Sequence, residues 1–183
     1  LYNSDGEMAV AKAADKANII QILASTAMTS FDDIATATQG PKWCQMYVLK
    51  DRGFTKELTA HCHSLGYKAM VLTADCTVAG NRERDVRNQF TLPPKPTPKV
   101  VLQLMMRLAW VLEYLRAPAY KFPNFADALN GHDDVDSIVQ WFGNQMDITF
   151  NWKDAEIMGQ EWDGPFVIKG ITSVEDAKLA AEI

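Results

Sequence analysis

Polar and charged side chains follow a short apolar segment near the middle of the chain. Residues 69–72 (A-M-V-L) are apolar, Thr73 and Asp75 come soon after them, and Arg82 lies seven residues beyond Asp75. In α/β proteins with parallel strands, the groups that bind and transform ligands lie at the C-terminal ends of the strands. This spacing therefore predicts a site that combines a hydroxyl, a carboxylate and a guanidinium at a strand end.

Two other apolar segments carry polar groups in the same position. Gln45 and Tyr47 belong to the segment 43–49, and because they are two residues apart, both side chains leave the same face of a strand. Lys169 lies in the segment 166–170, where a buried ammonium without a partner would be costly, so we expect it at the strand tip facing a partner. Together with the hydroxyl, carboxylate and guanidinium, these groups could bind a polar heterocycle and an anionic substrate.

Each of these side chains also has a simpler structural interpretation. Tyr47 can be a core aromatic residue with a hydrogen-bonded hydroxyl, and Asp75 can cap a turn. Arg82 lies in R-E-R-D, where a solvated charge cluster is common. His61 and His63 are two residues apart on a predicted helix, so their imidazoles diverge and we expect surface histidines rather than a metal site. The glycines form no dinucleotide-binding or P-loop pattern.

The segments around these residues alternate between strand and helix patterns. Short apolar runs predict strands at 18–23, 43–49, 68–73 and 166–170. Capped, Ala-rich or amphipathic runs predict helices at 7–17, 30–40, 55–65 and 173–183. An alternation of nearly continuous apolar strands with helices predicts an α/β fold with a parallel sheet covered by helices.

The alternation stops between residues 91 and 150, which contain no clear strand. Residues 91–123 carry a net charge of +4 in a chain of net charge −5, and residues 99–116 have a helical period with a broad apolar surface. Such a basic amphipathic helix suits an anionic membrane surface, although its charged residues exclude a transmembrane span. The alternative is that the apolar side packs on the rest of the domain or on a neighbouring subunit. Insertions of this length are usually functional or mobile.

The composition is that of a single globular domain. The 183 residues are enough for one core, and 48% hydrophobic and 22% charged residues are ordinary values. The net charge of −5 argues against a nucleic-acid partner. Three cysteines without a C-x-x-C motif indicate a reducing, cytoplasmic environment rather than a disulfide scaffold.

Several motifs resemble the FMN-dependent α-hydroxy-acid dehydrogenase/oxidase family, which includes glycolate oxidase, lactate oxidase, L-lactate dehydrogenase and mandelate dehydrogenase. The matching stretches are D-G-E-M-A-V-A-K-A-A (5–14), G-P-K-W-C-Q-M-Y-V-L-K-D-R (40–52), L-T-A-D-C-T-V-A-G-N-R-E-R-D-V-R-N-Q-F (72–90), N-W-K-D (151–154) and W-D-G-P-F-V-I-K-G-I-T-S-V-E-D-A (162–177). The resemblance implies that residues 1–183 are part of a (β/α)8 TIM barrel. The predicted strands would be its second to fifth, and residues 91–150 would form a lid-like insertion between strands 4 and 5.

The resemblance also implies that FMN binds at the C-terminal mouth of the barrel. Gln45 and Thr73 would contact its isoalloxazine ring. Lys169 would lie near the N1/O2 edge, where a cation stabilises the negative charge that builds up on reduction. The family commonly has a serine near the flavin at the position of Ala24 here, with Ser25 one residue later, which weakens one flavin contact.

On the substrate side, the resemblance implies roles for three residues. Tyr47 would hydrogen-bond the substrate hydroxyl, and Arg82 would place positive charge near the substrate carboxylate. Asp75 would pair with the catalytic histidine and favour its protonated form. The family carries its base and carboxylate clamp in a later motif, S-N-H-G-G-R-Q, which has no counterpart in these residues. The base is therefore expected outside this chain, which would be a fragment.

The implied activity is the oxidation of an L-2-hydroxy acid, of lactate or mandelate type, to the 2-oxo acid. The insertion resembles that of membrane-associated lactate and mandelate dehydrogenases, which implies a quinone acceptor and contact with the inner face of the membrane through residues 91–123. The stretch T-A-D-C-T-V-A-G-N-R also resembles soluble lactate oxidase, so a soluble oxidase using oxygen is the alternative. Family members often form tetramers. The isolated chain, with two open sheet edges, could instead be a non-catalytic half barrel.

Overall fold

The structure is a computed structural model that describes residues 5–76, 80–88, 97–116, 121–129 and 141–183, with the backbone alone at positions 99 and 127. Its centre is a parallel sheet of four strands in the order β1-β2-β3-β4. The strands are β1 (Gln21–Ala24), β2 (Lys42–Met46), β3 (Ala69–Thr73) and β4 (Phe166–Lys169). All four predicted strands are present, and their parallel pairing confirms the predicted α/β class.

Helices precede the sheet, connect its strands and follow it. They are α1 (Gly6–Ala17), α2 (Phe31–Ala37), α3 (Arg52–Ser64), α4 (Glu83–Arg87), α5 (Pro98–Met105), α6 (Leu108–Arg116), α7 (Ala126–Leu129), α8 (residues 141–145), α9 (Trp152–Trp162) and α10 (Val174–Glu182), with a 3-10 turn at Pro123–Phe125.

Side-chain caps determine where several helices begin. Ser30 and Ser173 each accept a hydrogen bond of 3.0 Å from the backbone N–H three residues later, which confirms both predicted caps. Asp51 does the same for α3 at 2.9 Å. Because this cap precedes Arg52, the helix starts there rather than at the predicted residue 55.

The register gives the sheet two different faces. Side chains from one face and from the surrounding helices share one core cluster: Leu23, Cys44, Met46, Met70, Phe31, Ile34, Cys62, Tyr67 and Trp162. Burial of each large apolar side chain of this kind contributes about 1.5–3 kcal/mol, so this face holds the layers together. The alternation of side chains along the strands turns Gln45, Thr73 and Lys169 to the opposite face.

The second strand is shorter than the predicted segment 43–49. After Met46 the chain leaves the sheet, and Leu49 forms an antiparallel bridge with Met146 instead. The backbone groups that would have extended β2 are thus satisfied by the end of the insertion.

The predicted helix 99–116 is two helices, α5 and α6. The Arg107 N–H donates to the carbonyl of Leu104, three residues back, at 2.9 Å, and this tighter bond ends α5. The apolar side chains on the two helices are largely exposed, including Met105 at 66% and Leu108 at 65%. A helix able to cross a membrane is not found in the part of the chain that the structure describes.

Candidate active site

The C-terminal end of the sheet brings Gln45, Thr73 and Lys169 onto one face. Thr73 is the neighbour of Lys169 across β3 and β4, and Gln45 is the neighbour of Val71, which lies on the same face as Thr73. The Gln45 amide nitrogen donates a hydrogen bond of 2.7 Å to the Thr73 hydroxyl. Both side chains are buried, so these two polar groups satisfy each other within an apolar sheet. The predicted residues are thus adjacent, and their roles stay predictions.

Lys169 has the partner that its strand-end position led us to expect. Its ammonium donates to both carboxylate oxygens of Asp75, at 3.0 Å and 3.2 Å. The hydrogen bond from Lys169 holds the pKa of the Asp75 carboxyl below its usual range, and the bond to Asp75 raises the pKa of Lys169. Both groups are therefore charged at neutral pH. Because both are about half-exposed, the pair contributes more to placing the two groups than to stability.

Gly170 allows the close approach of Asp75 and was missed by sequence reasoning. Its backbone φ of +104° is a value that residues with a side chain rarely adopt. A Cβ atom at this position would lie 2.6 Å from the Asp75 Cβ and 2.7 Å from its Cγ. The signal in the sequence was a glycine as the last residue of a predicted strand.

Tyr47 directly follows β2 and packs against the insertion. Its half-buried ring meets the Phe142 ring edge-on, with centroids 5.6 Å apart and planes at 86°. Burial raises the pKa of the Tyr47 hydroxyl, and the Cys76 thiol adds to the rise. The positive charge of Lys169 lowers that pKa and the negative charge of Asp75 raises it. The hydroxyl is protonated at neutral pH and can donate a hydrogen bond.

Arg82 is not joined to this cluster. It is exposed and precedes α4, where its backbone carbonyl accepts the N–H groups of Asp85 and Val86. Within the described ranges, no hydrogen bond or ion pair links its side chain to Tyr47 or Asp75. Residues 77–79, between Asp75 and Arg82, lie outside the described residues, and the role of Arg82 stays a prediction.

Ser25 does not take the place of the family serine. Its backbone N–H donates to the Gln45 carbonyl at 2.8 Å, which extends the β1–β2 ladder by one residue. The alternation along β1 therefore groups the Ser25 side chain with Leu23, on the core face, while Ala24 shares the face of Gln45. The Ser25 hydroxyl is buried and has no hydrogen-bond partner among the residues that the structure describes.

His61 and His63 lie on α3, away from the C-terminal end of the sheet, whereas His132 lies outside the described residues. His61 contacts the Asp32 carboxylate at 2.9 Å, and the exposed His63 ring packs edge-on against Trp162. Within the described residues, no group of three metal-ligating side chains is close enough to hold a metal ion. The mouth face instead offers an amide, two hydroxyls and an ammonium, a donor set suited to the polar edge of a heterocycle.

Known proteins match the chain along its whole length. The model of the FMN-dependent dehydrogenase family covers residues 1–183. An L-lactate dehydrogenase of Vibrio parahaemolyticus is 34% identical over 181 residues, covering 98% of this chain and 48% of that protein. An L-lactate dehydrogenase of Acinetobacter baylyi is 33% identical, with 98% and 47% covered. The structure of a monotopic membrane protein, (S)-mandelate dehydrogenase, matches with a TM-score of 0.87 and 32% identity, over 97% of this chain and 47% of that chain.

The chain spans about half the length of the curated relatives it matches. The match to one part of a mandelate dehydrogenase, a TIM-barrel flavoenzyme, confirms the predicted partial (β/α)8 barrel. The resemblance inferred from the motifs is confirmed as well. Since the family model covers every residue, the chain belongs to the FMN-dependent dehydrogenase family.

Proposed function

We propose that the protein containing this chain uses FMN to oxidise an L-2-hydroxy acid, of lactate or mandelate type, to the 2-oxo acid. The observation that carries the proposal is the arrangement at the mouth, where the buried Gln45–Thr73 pair adjoins Lys169, and Tyr47 directly follows the end of β2. The relatives named as L-lactate and (S)-mandelate dehydrogenases support the substrate class. The full-length protein assembles as a homo-oligomer, a tetramer in this proposal.

The mouth residues fit the cofactor of the family. The Gln45 amide and Thr73 hydroxyl can each donate to and accept from the polar edge of a flavin ring. The Lys169 ammonium supplies the positive charge that stabilises an electron-rich ring. The methyl group of Ala24 shares the face of Gln45 and leaves room beside it. Bound FMN supplies a two-electron acceptor.

The remaining candidate site residues have roles in binding and oxidising the substrate. The protonated Tyr47 hydroxyl binds the substrate hydroxyl, and Arg82 adds positive charge on the side of the carboxylate. Asp75, whose pKa is lowered, stays anionic and can stabilise a protonated histidine supplied by the rest of the protein. In this proposal that histidine takes the proton of the substrate hydroxyl, and the hydrogen on the substrate carbon leaves with the electron pair of its C–H bond to the two-electron acceptor that bound FMN would supply.

Anaerobic mixing of the full-length, FMN-loaded protein with L-lactate or L-mandelate tests this proposal. We expect the flavin absorbance to bleach, with one 2-oxo acid formed per flavin, and the D-enantiomers to leave it unchanged. A flavin that stays oxidised with every L-2-hydroxy acid tried would contradict the activity. The same titration on the 183-residue chain alone tests the half-barrel alternative, which stoichiometric FMN binding with lactate-driven bleaching would refute.

We further propose that the insertion 91–150 acts as a lid and that α5 and α6 contact the inner, cytoplasmic face of a membrane, where a quinone accepts the electrons. The support is the exposed apolar surface of both helices, with Arg107 and Arg116 alongside. The similarity to an enzyme described as a monotopic membrane protein adds to it. The alternative acceptor is oxygen, which hydrogen peroxide formed at the rate of turnover would establish.

Substitution of Met105 and Leu108 by glutamate is expected to release the full-length protein from vesicles containing anionic lipid. Each change places a negative charge where an apolar side chain would enter the membrane. We therefore expect the affinity of the protein for the vesicles to fall by about tenfold or more. Co-sedimentation measures the bound fraction. Val174→Glu is the matched control, because Val174 is 66% exposed, as is Met105, but lies on α10. Equal release by the control would argue against a membrane contact through α5 and α6.

A further inference from the structure

The end of the insertion pairs with the chain just after Tyr47. Residues 48–50, which follow Tyr47, pair with residues 145–147, which comprise the last residue of α8 and the two that follow it. Two backbone hydrogen bonds, of 2.7 Å and 3.1 Å, lie on either side of the bridge between Leu49 and Met146. Because both segments are fixed by backbone pairing, the distance between Tyr47 and α8 is fixed as well.

Contacts between aromatic side chains also join α8 to Tyr47. The Phe142 ring, on α8, meets the Tyr47 ring edge-on at 5.6 Å. Phe142 in turn contacts Phe125 at 5.8 Å and 75°, and Phe125 stacks on Phe54 of α3 at 5.7 Å. Edge-to-face and offset-stacked pairs are the favoured aromatic geometries. A row of contacting rings therefore leads from the helix layer through the insertion to the mouth.

This row ends on the side chain whose orientation matters for the chemistry. The Tyr47 hydroxyl lies at the far end of its ring, so a small tilt of the ring displaces the hydroxyl. The Tyr47 ring is half-buried, and the Phe142 ring contacts it from the insertion side. A misplacement of about 1 Å at a reacting group can lower the rate about a hundred-fold.

We propose that Phe142 is a positioning residue that sets the orientation of the Tyr47 ring, and that the insertion thereby helps to build the substrate site. The role of Tyr47 toward the substrate hydroxyl rests on the proposed function. The ring contact itself does not depend on that function, and the two parts can be tested separately.

The test uses the full-length, FMN-loaded protein carrying Phe142→Leu, which keeps an apolar side chain but removes the ring edge. We expect kcat/KM for the L-2-hydroxy acid to fall about tenfold, and Phe142→Tyr to restore most of it. Trp141→Leu is the matched control. Trp141 contacts the same Phe125 ring at 6.0 Å and, among the described residues, makes no ring contact with Tyr47. It should leave kcat/KM within about twofold.

Combination with Tyr47→Phe distinguishes positioning from general loosening. If Phe142 acts through the Tyr47 hydroxyl, adding Phe142→Leu to Tyr47→Phe should lower kcat/KM little further. Additive losses, or equal losses from Trp141→Leu and Phe142→Leu, would overturn the inference.

A fluorine label on the Tyr47 ring gives a readout that needs no turnover. We expect its NMR shift to move in Phe142→Leu and not in Trp141→Leu, and an unchanged shift in both would overturn the inference. If Phe142→Leu does not fold, Phe142→Met serves in its place. A moved shift in a protein that oxidises no hydroxy acid would refute the proposed function alone.

Discussion

Replacement of Gly170 by alanine is expected to lower kcat/KM of the full-length enzyme about a hundred-fold. The new Cβ would lie 2.6 Å from the Asp75 Cβ, closer than such atoms approach in proteins, so either Asp75 or the end of β4 must move. Both movements separate the Asp75 carboxylate from the Lys169 ammonium, which are 3.0 Å apart. Steady-state kinetics with the preferred L-2-hydroxy acid measures the loss.

Gly66→Ala is the control that isolates the steric contact. Gly66 also has a positive φ, of +82°, but a Cβ there would meet nothing within 4 Å. Both substitutions impose the cost of a strained backbone, about 1–2 kcal/mol, but only Gly170→Ala displaces Asp75. Gly66→Ala should therefore lower the thermal midpoint and leave kcat/KM within about twofold. Kinetic losses of equal size would show that strain, and not the position of Asp75, explains the effect.

The pKa of Asp75 provides a second readout for the same substitution. The hydrogen bond from Lys169 is the main reason that this pKa is low. Loss of that bond should raise the pKa of Asp75, so the acidic limb of the activity profile should move to higher pH in Gly170→Ala. An unmoved acidic limb together with a large loss of rate would mean that Asp75 keeps its partner.

The polar cluster at the mouth could be predicted because it depends on local periodicity. Side chains alternate along a strand, and the C-terminal ends of parallel strands lie at one edge of the sheet. These two rules are enough to group Gln45, Thr73 and Lys169 from the sequence. The specific pairing of Lys169 with Asp75 was not predictable in this way, because the two residues are 94 positions apart. The distance between their side chains depends on the path of the backbone after β3 and at the end of β4.

The insertion was the least predictable part of the chain. Its helical period could be recognised in the sequence. The break between α5 and α6, however, arises from a single tightened turn at Arg107, which does not change the spacing of the apolar residues. The early end of β2 was also missed. Strand propensity continues through Leu49, and only the tertiary contact with Met146 draws that backbone out of the sheet.

Arg52→Met is expected to lower the free energy of unfolding of the full-length protein by about 2 kcal/mol at neutral pH. Arg52 binds the Asp147 carboxylate through its Nε atom at 2.9 Å, and Asp147 is only 8% exposed. Thr149 donates two further hydrogen bonds to the same carboxylate, at 2.8 Å and 2.7 Å. Removal of the guanidinium leaves a buried charge without its ionic partner where the insertion rejoins the domain. Urea titration measures the change.

The effect should depend on pH in a defined direction. Burial alone would raise the pKa of Asp147, but hydrogen bonds from Thr149 and the pairing with Arg52 hold it below its ordinary value. A carboxyl whose pKa is lowered by folding stabilises the native state above its unfolded pKa and loses that contribution as the pH falls through its folded pKa. The difference between the wild type and Arg52→Met should therefore shrink below about pH 4.

Lys56→Met is the matched control, one turn further along α3. Lys56 also pairs with a carboxylate, that of Glu161, but the two side chains are 65% and 39% exposed. Exposed pairs of this kind contribute about 0–1 kcal/mol, so the control should have little effect at either pH. If Lys56→Met and Arg52→Met destabilise the protein equally, loss of positive charge from α3 explains both results. A larger loss in Arg52→Met that disappears in acid means that the buried Asp147 carboxylate fixes the end of the insertion, and with it α8, to the start of α3.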